Sequence, residues 1–168
     1  MKTNRPKIQV PLQGLDIILD MLSVTLLLLM IIFTIMSYSD LPETIPSHFD
    51  SNGNVDGYSS KTFLWLLPAI GLVTLIGLIF LNKYPHMHNY MVNITEENAL
   101  RNYRLSTRII RFTNLFTMLV FAIIVYAMIE SAKGHTFNFG SWFIYIILGL
   151  SILAPVGILF YSRKINKS

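Results

Sequence analysis

The residues best equipped for chemistry are gathered in one polar stretch, Leu41–Lys61, which holds His48, Asp50, Asn52, Asn54 and Asp56; a further histidine, His135, lies far downstream. Asp50, Asn52, Asn54 and Asp56 alternate as the oxygen donors of a calcium loop do. The twelfth position, where a bidentate Glu belongs, is Lys61 counted from Asp50 or Phe63 counted from Asn52. His48, Asp50, Asp56 and His135 are the residues from which a mixed-ligand metal site would be drawn, but alternating Asn, Asp and Gly is also ordinary turn chemistry, and no metal is assigned. His48 beside Asp50 or Asp56 has the makings of a base and its orienter. A serine nucleophile would also need an oxyanion hole, and neither a nucleophile elbow nor an HExxH pair occurs. With no cysteine, disulfides, thiolate zinc sites and thiol nucleophiles are excluded. The reading is therefore non-enzymatic, with no cofactor.

The stretch itself reads as a built loop. Pro42 and Pro46 hold Leu41 and Ile45 out of helical geometry. Asn52-Gly53 signals a tight turn and Asp56-Gly57 a second. Ile45–Phe49 and Asn54–Tyr58 are then expected to pair as a short hairpin. Ser59 or Ser60 would cap the following helix, leaving Lys61 at the membrane surface. Such a loop serves either as a cap that folds over the helix ends or as a surface presenting His48, Phe49, Asp50, Asp56 and Tyr58 to a partner; the cap is the favoured reading.

The elements that position this loop are long apolar runs. The chain is 53% hydrophobic and 13% charged, with mean hydropathy +0.54, about half the charge of a soluble domain. About 20 apolar residues cross a bilayer as a helix, and a lone strand there would leave its backbone unpaired. Ile17–Tyr38, Phe63–Leu81, Phe112–Ile129 and Trp142–Tyr161 meet the requirement. The fold class is thus an all-α integral membrane protein of four transmembrane helices, a single four-helix bundle over residues 1–168 with a cytoplasmic connection at 82–111. Tyr38, Trp65, Trp142 and Tyr161 mark the water boundaries. Pro68 and Pro155 are expected to kink helices two and four. Gly71, Gly77, Gly149, Ala154 and Gly157 permit close helix contact. The apolar run ending at Ser37-Tyr38-Ser39 is too long for a signal peptide and carries Asp16 and Asp20 at its start, so it reads as an uncleaved helix.

Charge sets the orientation. Of 13 Lys and Arg residues, only Lys61 and Lys133 fall in the loops after helices one and three. The positive-inside rule then places both termini and residues 82–111 in the cytoplasm and the 41–61 loop outside, across a bacterial inner membrane. The same rule accounts for the net charge of +4, and no broad solvated basic face is present, so nucleic acid is excluded as a partner.

On the inner side, Thr95 reads as a helix N-cap, with Glu96 and Glu97 in the first turn. Nothing breaks the helix before Gly134. A helix from Thr95 to Glu130 would be about 54 Å long against about 30 Å of hydrocarbon, so about four turns project. Arg101, Arg104, Arg108 and Arg111 form one stripe on that projection. They suit snorkelling anchorage, anionic lipid headgroups or an acidic partner. Asp16 and Asp20, one turn apart at the inner end of helix one, need partners at that depth, and an ion pair with Arg108 or Arg111 is expected. Asn93-Ile94-Thr95 matches a glycosylation sequon but falls on the inner side.

Leu41-Pro42, Ile45-Pro46 and His48-Phe49-Asp50, followed by Gly53, Asp56, Gly57, Tyr58 and Lys61, resemble the signature of a bacterial membrane family, domain of unknown function 1648. That family supplies the N-terminal membrane region of SdpI-type immunity proteins, which protect a producing cell from its own peptide toxin. Asn89-Tyr90, Ile94 through Ala99, Arg101 and Tyr103 resemble the family's region ahead of its third helix. The resemblance implies peptide-toxin immunity through the outer loop, although SdpI-type proteins carry further spanning helices beyond these four. It also implies a cytoplasmic regulator as partner for the arginine-striped helix. It supplies no catalytic residues. A small transporter is the third expectation, with Thr74, Thr113, Asn114, Thr117 and Ser151 as its mid-span polar groups. Partners in all cases include the lipid bilayer, and an oligomer is compatible with the chain.

Overall fold

The computed structural model describes residues 5–135 and 140–166. Four helices, α1 (Gly14–Tyr38), α2 (Leu66–Leu81), α3 (Glu96–Ala132) and α4 (Gly140–Ile165), are long and apolar enough to cross a membrane, α2 together with the 3₁₀ turn Lys61–Trp65 that leads into it. Between α1 and that turn lie two strands, β1 (Thr44–Phe49) and β2 (Val55–Ser60).

Helices α1 and α3 run parallel, in a register fixed at both ends: Asp16 meets Arg108 near the start of α1, and Ser37 meets Lys133 at its finish. Helix α2 packs against both. Gly71 makes the approach possible, because a Cβ there would stand 3.2 Å from Met30 Cε and 3.3 Å from Leu27 Cδ1. The core they enclose comprises Leu27, Met30, Leu75, Met118, Val125, Met128 and Ile129, and Leu41, Ile45 and Leu64 extend it into the hairpin. Burial of such side chains contributes roughly 1.5–3 kcal/mol each from water, less where the alternative is lipid.

Helix α4 corrects the expectation of a packed four-helix bundle. It has no buried residue. Just past its C-terminal end, Asn166 and Asn102 of α3 each donate to the other at 3.0 Å. The buried core is built by α1, α2 and α3, while α4 presents exposed apolar side chains such as Ile152, Leu153 and Phe160. Gly149 and Gly157 have open space where a Cβ would be, so the close contact expected of them is not made within the chain.

One smaller difference has a local cause. Pro68 does not kink α2: it sits in the first turn, immediately after the 3₁₀ segment, where a missing N–H costs little. Pro155, by contrast, does lie inside α4. The single long helix α3 appears as expected, with Thr95 as N-cap and Asn98 completing a capping box by accepting from the Thr95 N–H at 3.0 Å. At 37 residues it is about 55 Å long.

Candidate functional site

The hairpin is pinned at its tip by one carboxylate. Asp50 Oδ1 accepts from the Asn52 and Asn54 N–H groups, each at 2.8 Å, and Gly53 supplies the positive φ of +83° that the turn requires. The Asn54 amide, helped by its side chain and the Asn52 and Gly53 amides, holds the Asp50 carboxyl below its usual value against the opposing effect of desolvation. Asp50 is thus spent on the turn rather than offered to a metal. Asp56-Gly57 is not a second turn: both residues lie inside β2. Gly57 is required there for space, since a Cβ would fall 2.9 Å from His48 Cβ across the ladder, next to the bulges between Pro46 and Phe49.

The two faces of the hairpin differ. Leu41 and Ile45 are buried in the helical core, Ile45 completely, and Phe49 packs against it. Outward stand Tyr58, 66% exposed, and a paired His48 and Asp56, with His48 Nδ1 2.5 Å from Asp56 Oδ1. The base of the hairpin is tied by Lys61, whose N–H donates to the Glu43 carbonyl and whose Nζ reaches Glu43 Oε1 at 2.9 Å while lying over the Tyr38 ring. Ser60, rather than Ser59, accepts from Thr62 and caps the turn into α2; Ser59 instead accepts from Ser47 at 2.8 Å. Pro42 and Pro46 keep β1 extended, and Pro46 sits opposite Tyr58.

Beside this face ends α3. His135 Nδ1 lies 2.6 Å from Glu130 Oε2, and Lys133 lies 3.8 Å from the same carboxylate. A groove of about 440 Å³ separates the hairpin residues Thr44, Pro46, Val55 and Tyr58 from Ser131 and His135. Of the four candidate metal ligands only His135 lines it, while His48 and Asp56 pair with each other on the hairpin; among the described residues no cluster of three His, Cys, Asp or Glu side chains forms.

At the opposite end of the bundle, where one ion pair was expected, two form. Arg108 Nε donates to Asp16 Oδ1 at 3.0 Å, and Arg111 Nε to Asp20 Oδ2 at 2.9 Å. Asp16 is 2% exposed and its other oxygen accepts from the Gln13 N–H, closing the first turn of α1. Gln13 also accepts from Arg108. The arginine stripe is therefore divided: Arg108 and Arg111 turn inward to α1, Arg101 is exposed, and Arg104 is half-buried. A uniform four-arginine docking face is corrected accordingly.

The sequence reading missed a second small core at this end. The N-terminal segment crosses the α2–α3 connection, where Arg5 donates to the carbonyls of His86 and His88 at 3.2 and 2.7 Å and lies over the Tyr90 ring. Tyr103 donates to the Pro6 carbonyl at 2.9 Å, and Ile94, Ala99 and Tyr103 are buried together with Val10, Tyr90 and Val92 against them. Burial pushes the Tyr90 phenol up to about 12. His88 bridges Ser106 and the Leu81 carbonyl. The available signal was Tyr84, Tyr90 and Tyr103, spread over the connection and the start of the third helix. The mid-span polar groups, in turn, do not share a path: Thr113 and Ser151 are exposed, Thr74 and Thr117 half-buried, and Asn114 buried in the bundle.

Against known proteins, residues 25–72 match the family model described as "Domain of unknown function (DUF1648)", which spans most of α1, the hairpin and the start of α2. An uncharacterized protein of Archaeoglobus fulgidus is 29% identical over 155 residues, covering 84% of this chain and 82% of its own length. No solved structure matches. The resemblance seen in the 41–61 signature is thus borne out for the domain of unknown function 1648.

Proposed function

We propose that this multi-pass membrane protein faces its β-hairpin outward and uses it to engage a peptide or another membrane protein, as SdpI-like immunity would require. The supporting observation is the division of labour within the hairpin. Ile45 and Leu41 anchor it in the helical core, while the His48–Asp56 pair and Tyr58 stand outside on a rigid base. A loop acting only as a cap would bury both of its aromatic residues; this one packs Phe49 against the core and exposes Tyr58, and exposed aromatics on a fixed scaffold are favoured contact residues. Cap and surface are then two faces of one element. The charge asymmetry supports termini and the 82–111 connection on the cytoplasmic side of a bacterial inner membrane.

The activity is binding, not catalysis. His48 has its carboxylate, but the nearby serines Ser47 and Ser59 are bonded to each other. The test is to delete the gene and challenge cells with a panel of secreted peptide toxins from related strains. Increased sensitivity restored by the wild-type gene but not by a Tyr58→Ala, His48→Ala variant supports the reading. Unchanged sensitivity across the panel, with expression of the protein confirmed beforehand, removes immunity.

A second reading, a cytoplasmic regulator held by the α3 projection, draws on Arg101, which is exposed there, and on Arg104 beside it. Crosslinking from residues 101 and 104 that recovers a protein supports it; recovery of lipid alone assigns these arginines to anchorage.

A further inference from the structure

We infer that Arg104 binds the phosphate of an anionic phospholipid in the inner leaflet, whose acyl chains lie along the exposed face of α3. This goes beyond the binding proposed for the hairpin and stands whether or not that proposal does; a cytoplasmic protein at the same arginine is the competing occupant. Arg108 and Arg111 are held by Asp16 and Asp20 of α1. Among the described residues Arg104 has no acceptor for its guanidinium. Its Nε is buried without a hydrogen bond, whereas the two terminal nitrogens, equally unpartnered, are not enclosed. A ligand therefore reaches the outer edge of the fork, which presents N–H groups side by side to a single oxyanion.

A half-buried guanidinium without a partner is costly, and its neighbours raise the cost. Arg101 lies three residues before it and Arg108 four residues after, so the adjacent positions on that side of α3 carry the same charge. Asp16 is turned to Arg108 and to the Gln13 N–H. Glu96 and Glu97 stand two turns further out, on the order of 10 Å along the helix. The chain thus supplies no anion where one is called for.

Depth identifies the anion. Asp16 lies about 33 Å along α1 from Tyr38 at 1.5 Å per residue, a little more than the hydrocarbon thickness of about 30 Å. Arg104 is one turn, about 6 Å, beyond Arg108 toward the cytoplasm. The headgroup layer is about 5–8 Å deep on each side of the bilayer, so Arg104 stands at phosphate level. In the other direction the same side of α3 turns apolar. Phe112, Leu119 and Tyr126 follow Arg108 at helical spacing and are exposed. The arginine sector therefore runs directly into a lipid-facing stripe, as a headgroup runs into its acyl chains.

The test titrates the full chain in detergent with dioleoylphosphatidylglycerol or dioleoylphosphatidylcholine and reads bound lipid by native mass spectrometry. Expected is one phosphatidylglycerol held about fivefold more tightly than phosphatidylcholine, the preference one arginine confers at a membrane surface. Arg104→Gln should abolish that preference. Arg104→Lys should reduce it, because it keeps the charge and loses the fork. Arg163→Gln, in the last turn of α4, should leave it unchanged. Equal retention of both lipids, or a preference that survives Arg104→Gln or falls as far with Arg163→Gln, overturns the site. Should Arg104→Gln not fold, Arg104→Lys decides, and a preference undiminished by it denies the fork. Inorganic phosphate in large excess should leave the lipid bound; displacement would make the ligand free phosphate and overturn the lipid assignment. Photocrosslinking in cells from position 101, which leaves Arg104 in place, should give lipid adducts. A discrete protein adduct there overturns the inference in favour of the regulator.

Discussion

His48 and Gly57 face each other across the hairpin at a distance that admits no side chain on residue 57: a Cβ there would sit 2.9 Å from His48 Cβ. The strands are thereby held close where the ladder bulges, and His48 is brought within reach of Asp56 at 2.5 Å. The outward-facing pair therefore depends on a glycine whose role is steric.

Replacing Gly57 with Ala should force the strands apart and lower stability by about 1–3 kcal/mol, the usual cost of overpacking a tight site. Tyr58→Ala, which removes an exposed ring, should stay within about 0.5 kcal/mol. Thermal unfolding of both variants in the same detergent checks the difference; equal losses would show that the hairpin face is not divided as described.

The Asp16–Arg108 pair joins two parallel helices with its carboxylate buried and its guanidinium partly open. Asp16→Asn should cost roughly 1–3 kcal/mol, below the 3–5 kcal/mol of a fully enclosed pair because water still reaches Arg108. The Asp16→Asn, Arg108→Met double variant should lose less than the sum of the single changes. A double-mutant cycle on unfolding free energies provides the measurement, and strict additivity would deny the coupling.

Asp50 gives the hairpin tip an acid limit. Its folded-state carboxyl titrates below the usual value, first through the Asn54 amide. Its contribution is present above the unfolded pKa of about 3.9 and is lost as pH falls through the folded value. The Asn52 and Asn54 amide resonances should keep their positions at neutral pH and shift together only in that acid range. Asp50→Asn should abolish that acid-dependent shift.

Tyr90 sets an alkaline limit at the other end. Burial raises its phenol to about 12. The folded state keeps its proton where the unfolded state loses it, so the contribution is whole below about pH 10 and disappears between about 10 and 12. Phenolate absorbance should show Tyr90 ionising after the exposed tyrosines, with the Arg5–Tyr90 contact opening in the same interval. Ionisation with the exposed group would contradict the second core.

Much of this was legible before the structure. The hairpin followed from Pro42, Pro46 and Asn52-Gly53 because turn chemistry is local. The Asp16 and Asp20 pairs followed because isolated carboxylates at that depth need partners, and arginines stood at the same level. Asp56-Gly57 was misread because a glycine required by a neighbouring Cβ looks in sequence like one required by a turn. That α4 contributes no buried residue was not legible either: an apolar helix facing lipid and one facing protein carry the same hydropathy. Nor was the strap of Arg5 over Tyr90, whose partners are main-chain carbonyls, which leave no trace in residue type.

The outward display of the hairpin is tested most directly by accessibility in intact cells, made simple by a chain with no cysteine of its own. Single cysteines at His48 and at Arg101 would be treated with a membrane-impermeant maleimide before and after permeabilisation. The account predicts labelling of His48→Cys in intact cells and of Arg101→Cys only after permeabilisation. Labelling of Arg101→Cys in intact cells, with His48→Cys protected, would contradict it.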